Sequence, residues 1–226
     1  MHIEPGLVDA AKIPLSYATA AASLGLAGKT ALAGMTRLSD VLAFAARAAM
    51  STVITFACFE VLPHAPVGVS EVHLILGTTL LLLFGVGPAA VGLALGLLVQ
   101  GLFFAPFDLP QYGMNITTLL VPLFAMSALA KRIIPADTAY TDVGYGQVLK
   151  LSLAFQGGII AWVAFWSIYG QGFGAANLSS IGSFAAAYAT VIAVEPLVDL
   201  AVLAGAKWMA RLKDTGLFHA RLYNAA

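Results

Sequence analysis

The chain alternates between long apolar runs that carry almost no charge and short stretches that hold most of its polar residues. A membrane-spanning helix needs about 20 apolar residues, so a run of twice that length predicts two helices joined by a turn. The runs are 13–28, 41–63, 72–107, 109–130 and 151–194, and the second half of the last run continues past two acidic residues to about residue 207. Glycine-rich breaks at 85–88 and 169–180 divide the two longest runs. The pattern therefore predicts about seven transmembrane helices.

The composition agrees with a membrane protein and excludes an ordinary soluble domain. Of the 226 residues, 60% are hydrophobic and 10% are charged, and the mean hydropathy is +0.91. Because the apolar runs are continuous and do not alternate, we expect an all-α polytopic membrane protein and not a barrel. Seven spans use about 140 residues. We therefore expect one integral membrane domain, with an N-terminal segment at 1–12, a helical bundle at 13–207 and a cytoplasmic tail at 208–226.

The charged residues predict the orientation of the chain. Eleven basic and eleven acidic side chains cancel, which argues against a nucleic-acid partner. Most basic residues fall between predicted spans one and two, between spans five and six, and after span seven, and basic residues mark the cytoplasmic side. They are Lys29, Arg37, Lys131, Arg132, Lys150, Lys207, Arg211, Lys213 and Arg221. The N-terminus is thus expected outside and the C-terminus in the cytoplasm, as in a multi-pass protein of the cell inner membrane.

The first two residues form a candidate metal chelate. The α-amine of Met1, the amide nitrogen of His2 and Nδ1 of its ring can close adjacent five- and six-membered rings in one plane around an ion. Planar nitrogen coordination suits Ni(II) and Cu(II), and Co(II) can be drawn into it, whereas zinc prefers a tetrahedron. A histidine at the second position also occurs by chance, so the hypothesis needs a further ligand from elsewhere in the chain.

Polar residues at the outer side supply candidates for that ligand. His73 follows Glu71 at the head of the third predicted span, and His64, the second choice, lies in the outer loop before it. Gln100 and Asn115 stand out within the apolar runs, and polar side chains in spans usually face the bundle interior. Asn115 lies near the outer end of the fifth predicted span, where it is placed to orient a metal ligand.

These residues carry a resemblance to a known family. The start Met1-His2-Ile3-Glu4-Pro5-Gly6 resembles the Met-His-Ile-x-x-Gly start of the CbiM/NikM family, the substrate-capture membrane subunits of cobalt and nickel energy-coupling-factor transporters. Val72-His73-Leu74, Gly87-Pro88, Gln100 and Gly113-Met114-Asn115 follow in the same order as the central block of that family. The similarity runs from residue 1 to about 125 and continues more loosely to the end.

The resemblance implies a metal site and a set of partners. It places Met1, His2 and His73 around a transported Co²⁺ or Ni²⁺ ion, with residues 1–12 capping the ion from outside. It also implies a transmembrane coupling subunit and cytoplasmic ATPase subunits, with a small accessory membrane subunit as a further candidate. The sequence has no Gly-x-x-x-x-Gly-Lys-Ser/Thr phosphate loop. We therefore expect a transporter subunit and not an enzyme, with no catalytic cofactor.

Two other functions stay open at this point. Glu195 and Asp199 lie four positions apart on the last predicted span and share a face, as acid–base groups of an intramembrane hydrolase would. No nucleophile motif such as Gly-x-Ser-x-Gly accompanies them, and polar contacts to a neighbouring helix are the alternative role. A stand-alone carrier or channel for a metal or small solute is the other possibility. The sequence does not separate cobalt from nickel.

Overall fold

The computed structural model describes residues 2–33 and 35–211, which form α-helices and one short hairpin. Met1 and residues 212–226, the greater part of the predicted tail, lie outside the described residues. The helices are α1 (Pro14–Leu32), α2 (Leu38–Phe56), α3 (Gly77–Phe84), α4 (Val86–Phe103), α5 (Tyr112–Ile133), α6 (Tyr145–Gln171) and α7 (Ala175–Arg211). The antiparallel strands β1 (Ala65–Val67) and β2 (Ser70–Val72) form the hairpin between α2 and α3.

Five of the described helices are long and apolar enough to cross a membrane, so the predicted all-α membrane protein is confirmed at that level. With the short helical turns that adjoin them, they are Leu38–Val61, Val86–Phe103, Pro106–Ile133, Tyr145–Gln171 and Ala175–Arg211. Helix α1 is less apolar, and α3 has only 8 residues, a length of about 12 Å against a hydrocarbon core of about 30 Å. The count of seven spans and the outward N-terminus stay predictions.

Both predicted breaks in the double-length runs are confirmed. Gly85 separates α3 from α4 with a φ of 86°, and Gly172 ends α6 with a φ of 73°. Residues with a β-carbon rarely adopt such angles, so a glycine at these two points allows the chain to reverse between packed helices.

The start of the third helix is different from the prediction. His73 was expected to open a helix, but residues 73–76 are not helical and α3 begins at Gly77. Leu76 has a left-handed backbone with φ 60° and ψ 33°, a conformation that costs a bulky residue about 1–2 kcal/mol. The irregular segment is nevertheless buried or half-buried along its length, so other parts of the protein must hold its backbone in place.

Close helix packing positions this segment in the bundle. A β-carbon added at Gly77 would lie 2.4 Å from two ring carbons of Phe155 on α6, so the start of α3 lies directly against that ring. Phe155, Trp166 and Tyr188 are among the largest fully buried side chains. The core of the bundle includes residues of α3, α4, α5, α6 and α7, and Ile3 of the N-terminal segment belongs to it.

Candidate metal centre

The N-terminal segment forms part of the folded structure by pairing with β2. The backbone amide of Glu71 donates to the carbonyl oxygen of His2 at 3.0 Å, and the hydroxyl of Ser70 donates to the same oxygen at 2.9 Å. Ile3 forms an antiparallel bridge with Ser70. Residues 2 and 3 thus lie alongside the hairpin like a third strand, which brings the second residue of the chain next to residue 71.

Side chains from α5 and the N-terminal segment add to this attachment. The buried amide of Ile3 donates to Oδ1 of Asn115 on α5 at 2.8 Å. At the other end of the segment, the ammonium group of Lys12 donates to the carbonyl oxygens of Tyr169 and Gly170 at 3.1 and 2.8 Å. These are carbonyls of the last turn of α6, which have no helical partner of their own. The segment 2–12 is therefore fixed across the top of the bundle.

The attachment brings three metal-binding side chains together. One ligand atom each from His2, Glu71 and His73 lies within 4.8 Å of the others. The imidazole centres of His2 and His73 are 5.7 Å apart, and both histidines are only 2% exposed. The centre of the Phe59 ring is 4.4 Å from the centre of the His73 ring and 6.1 Å from that of the His2 ring. One side of the cluster is therefore covered by an apolar side chain.

The contact between His2 and Glu71 determines the chemical state of the cluster. Nδ1 of His2 is 2.6 Å from Oε2 of Glu71. Burial lowers the pKa of His2 even though the hydrogen bond and charge of Glu71 raise it. Burial is the largest single influence on the pKa of Glu71 and raises it, but the hydrogen bond from His2 and the nearby positive charges together outweigh burial and lower the pKa. We therefore assign a neutral imidazole that donates Nδ1–H to an ionised carboxylate, which leaves the lone pair on Nε2.

This assignment bears on the expected chelate. The chelate uses Nδ1 of His2, the atom that donates to Glu71 in the metal-free arrangement. An ion that enters the chelate must therefore replace the Nδ1 proton and take over the contact with Glu71. The carboxylate of Glu71 would then be close enough to balance the charge of the ion or to act as a ligand itself.

The other sequence-predicted site residues differ in how close they lie. The side chain of Gln100 lies beside the His2 ring and raises its pKa, and its Nε2 donates to the carbonyl of Phe59 at 3.4 Å. Asn115 contacts the N-terminal backbone, as described above. His64 is exposed, with Nδ1 3.1 Å from the carbonyl oxygen of Leu62, and it is not part of the cluster. Met1 lies outside the described residues.

An acidic cavity adjoins the cluster. It has a volume of about 190 Å³, and Glu4, Asp108, Glu71 and His2 contribute to its wall. Burial, followed by the charge of Glu71, raises the pKa of Glu4. A cavity with three carboxyl groups attracts cations because its low-dielectric walls strengthen their field.

Sequence reasoning missed the partners of Glu195 and Asp199. Oε2 of Glu195 accepts a hydrogen bond from the amide of Ile75 at 2.7 Å. Oδ1 of Asp199 accepts from the amide of Thr79 at 3.1 Å and from its hydroxyl at 2.6 Å. Both carboxylates are buried, with exposed fractions of 0% and 1%. The spacing of four residues indicated a shared face of α7, but no local signal indicated the segment that this face contacts.

Comparison with known proteins agrees with this arrangement. The model of the CbiM family, described as the cobalt uptake substrate-specific transmembrane region, matches residues 2–210. A solved structure described as a transition metal transporter is 18% identical, with a TM-score of 0.66 over 99% of this chain and 98% of that chain. A truncated transition metal transporter is also 18% identical, with a TM-score of 0.64 over 94% and 97%. No curated protein matches the sequence.

Proposed function

The chain belongs to the CbiM family of cobalt-uptake transmembrane regions, and from this premise we propose that it captures Co²⁺ or Ni²⁺ for an energy-coupling-factor ABC importer. It is a single membrane domain with seven spans in the cell inner membrane. Residues 1–12 cap the ion from outside, residues 13–207 form the bundle, and residues 208–226 form the cytoplasmic tail.

The observation that carries this proposal is the burial of His2 against His73. The second residue of a chain is usually exposed and poorly ordered, yet His2 is 2% exposed and lies 5.7 Å from a histidine 71 positions later, measured between ring centres. Strand pairing with β2 holds it there. This attachment of His2 supports the proposal that the α-amine of the preceding residue, Met1, is a ligand of the same ion.

Capture begins at the acidic cavity beside Glu4 and Asp108. The ion then takes the α-amine of Met1, the amide nitrogen and Nδ1 of His2, and the ring of His73 as four nitrogen ligands. The amine and the amide each release a proton to solvent as the ion binds, and the ring proton of His2 is exchanged from Nδ1 to Nε2, so that affinity depends on pH. The ionised Glu71 next to Nδ1 compensates the charge of the ion in a buried site.

Release to the inside requires energy that this chain does not supply. We propose that a transmembrane coupling subunit and a pair of cytoplasmic ATPases, with a small accessory membrane subunit as a further candidate, act on it after capture. ATP hydrolysis by these partners then tilts the whole subunit and exposes the ion to the cytoplasm. This chain acts in that assembly as a transporter subunit and not as an enzyme.

The test is calorimetric titration of the purified, detergent-solubilised chain with Co²⁺ and Ni²⁺, with a native, unblocked N-terminus. The chain should bind one ion, and His2→Ala and His73→Ala should each abolish high-affinity binding. Loss of one of four ligands removes about 3 kcal/mol of the roughly 10–16 kcal/mol that four ligands supply, or about 150-fold in affinity. An uncleaved N-terminal extension should have the same effect as either substitution.

Two results would overturn the proposal. The first is wild-type affinity in the chain with the N-terminal extension, because the α-amine could then not be a ligand. The second is metal uptake into vesicles that contain this chain alone, because a stand-alone carrier needs no ATPase partner. Comparison of the two titrations also decides between cobalt and nickel.

A further inference from the structure

The irregular segment that follows the hairpin is attached to α7 by two carboxylates. Glu195 accepts the amide hydrogen of Ile75, and Asp199 accepts the amide and hydroxyl hydrogens of Thr79. We call these two carboxylates and their bonds to Ile75 and Thr79 the α7 clasp. The ring of His73 lies two residues before the first of these bonds, so the metal ligand and the clasp share one short stretch of backbone.

The positions of these bonds explain why the segment needs outside support. The first amides of a helix have no partner within that helix, and Thr79 is the third residue of α3. Ile75 lies before the left-handed residue Leu76 and outside α3, so its amide has no helical partner. An unpaired amide buried in the bundle costs about 1–3 kcal/mol. The clasp removes that cost at the two points where the irregular backbone turns into α3.

The carboxylates, for their part, have no basic partner there. Within residues 2–33 and 35–211, no lysine, arginine or histidine forms an ion pair with Glu195 or Asp199. Buried acidic groups are expensive unless hydrogen bonds compensate them. Two acidic residues placed four positions apart in an apolar helix therefore serve a specific contact, and the contact that the geometry shows is with the backbone after His73.

We propose that Glu195 and Asp199 are positioning residues for the metal ligand His73. They fix the backbone of residues 75–79 against α7, and this holds the imidazole of His73 at its place beside His2. The inference rests on the proposed function, because it assigns His73 to the metal. It makes the position of α7, a helix of 37 residues that extends to Arg211, a determinant of metal affinity.

The experiment compares substitutions that remove the hydrogen-bond acceptor with substitutions that keep it. Glu195→Leu and Asp199→Leu remove it, whereas Glu195→Gln and Asp199→Asn keep an oxygen in the same place. Leu203→Val is the matched control, since Leu203 is equally buried on α7 and packs in a separate cluster with Val143 and Val148. Because a leucine variant can fail to fold, Thr79→Val serves as a mild second probe that removes only the hydroxyl bond to Asp199.

Two measurements are made on the full-length, metal-free chain and its metal complex. Hydrogen–deuterium exchange of peptides covering residues 73–79 reports the clasp without any metal. Titration with Ni²⁺, followed by calorimetry and by the visible absorption of the bound ion, reports the position of the ligand. A structural role alone would leave the absorption spectrum of the bound ion unchanged.

We expect the leucine variants to exchange faster at residues 73–79, to bind Ni²⁺ about 10–100-fold more weakly and to show a shifted spectrum. Thr79→Val should show the same changes to a smaller extent. The Gln and Asn variants and Leu203→Val should stay within about threefold of the wild type. In a His73→Ala background the leucine substitutions should cause no further loss of affinity, because the ligand they position is already absent.

Wild-type affinity and spectrum in Thr79→Val and in a folded Glu195→Leu chain would overturn the inference. So would an equal loss in the leucine variants with and without His73. Failure of the proposed function has a different signature: the wild-type chain would bind no metal, while the exchange measurement would still report whether the clasp holds residues 73–79.

Discussion

Asn115 offers a sharp test of how the N-terminal segment is held. Its Oδ1 accepts the amide hydrogen of Ile3 at 2.8 Å, and Ile3 is fully buried. In Asn115→Leu the side chain has a similar size but no acceptor. The amide of Ile3 then has neither this partner nor water unless residues 2–12 leave their place on the bundle.

The cost of that change follows from the burial of the amide. An unsatisfied buried donor costs about 1–3 kcal/mol, which corresponds to a factor of about 5–150 in the equilibrium between docked and undocked N-terminal segments. Only molecules with a docked N-terminal segment can bind the ion, so the apparent metal affinity falls in proportion as that fraction of molecules falls. We therefore expect weaker binding of Co²⁺ and Ni²⁺ by Asn115→Leu, with about 150-fold as the upper limit.

The assay combines calorimetric titration with hydrogen–deuterium exchange of the peptide covering residues 2–12. Asn115→Asp keeps an oxygen in place and should retain both the affinity and the protection of the wild type. Thr118→Val is a second control, because it removes a buried hydroxyl from the next turn of α5 that donates to Met114 and not to the N-terminal segment. If Asn115→Leu matches the wild type in affinity and in exchange, Asn115 does not hold the N-terminus.

Three further predictions concern single residues. Glu71→Gln should bind metal about 10–100-fold more weakly, because it removes the charge beside His2 and keeps an acceptor; an unchanged titration would exclude Glu71 from the site. His64→Ala should bind within about threefold of the wild type, because His64 is exposed and outside the cluster; a tenfold loss would place it at the ion. Gly77→Ala should lower the free energy of unfolding by about 1–3 kcal/mol, since its β-carbon meets the Phe155 ring at 2.4 Å, and an unshifted melting temperature would contradict this.

The sequence predicted best those features that depend on local composition. Long apolar runs indicated the membrane helices, and the glycines at 85 and 172 marked the two turns because they adopt positive φ angles. The resemblance to the CbiM family is confirmed by the match over residues 2–210. His2 was a candidate ligand from stereochemistry alone, because a chelate formed by consecutive residues needs no knowledge of the fold.

The start of α3 could not be predicted from the pattern. A continuous apolar run is compatible with a buried helix and with a buried extended segment, and residues 72–84 contain only apolar, small or weakly polar residues apart from His73. The difference comes from contacts with residues 120 positions away, since Glu195 and Asp199 accept the amides that a longer helix would have used itself. The same holds for Glu71, whose bond to His2 spans 69 positions.

A sequence does carry one indirect signal of such contacts. Backbone that is neither helix nor strand cannot remain in an apolar interior without acceptors for its amides. An acidic residue within an apolar span likewise needs hydrogen-bond donors. Glu195 and Asp199 have the second requirement, and the segment around Leu76 has the first. In the fold, the carboxylates accept hydrogen bonds from the segment, so each group supplies what the other needs. A pair of carboxylates on one face of a predicted span is therefore a reason to look elsewhere in the chain for a short irregular segment, and here that segment begins at His73, the proposed metal ligand.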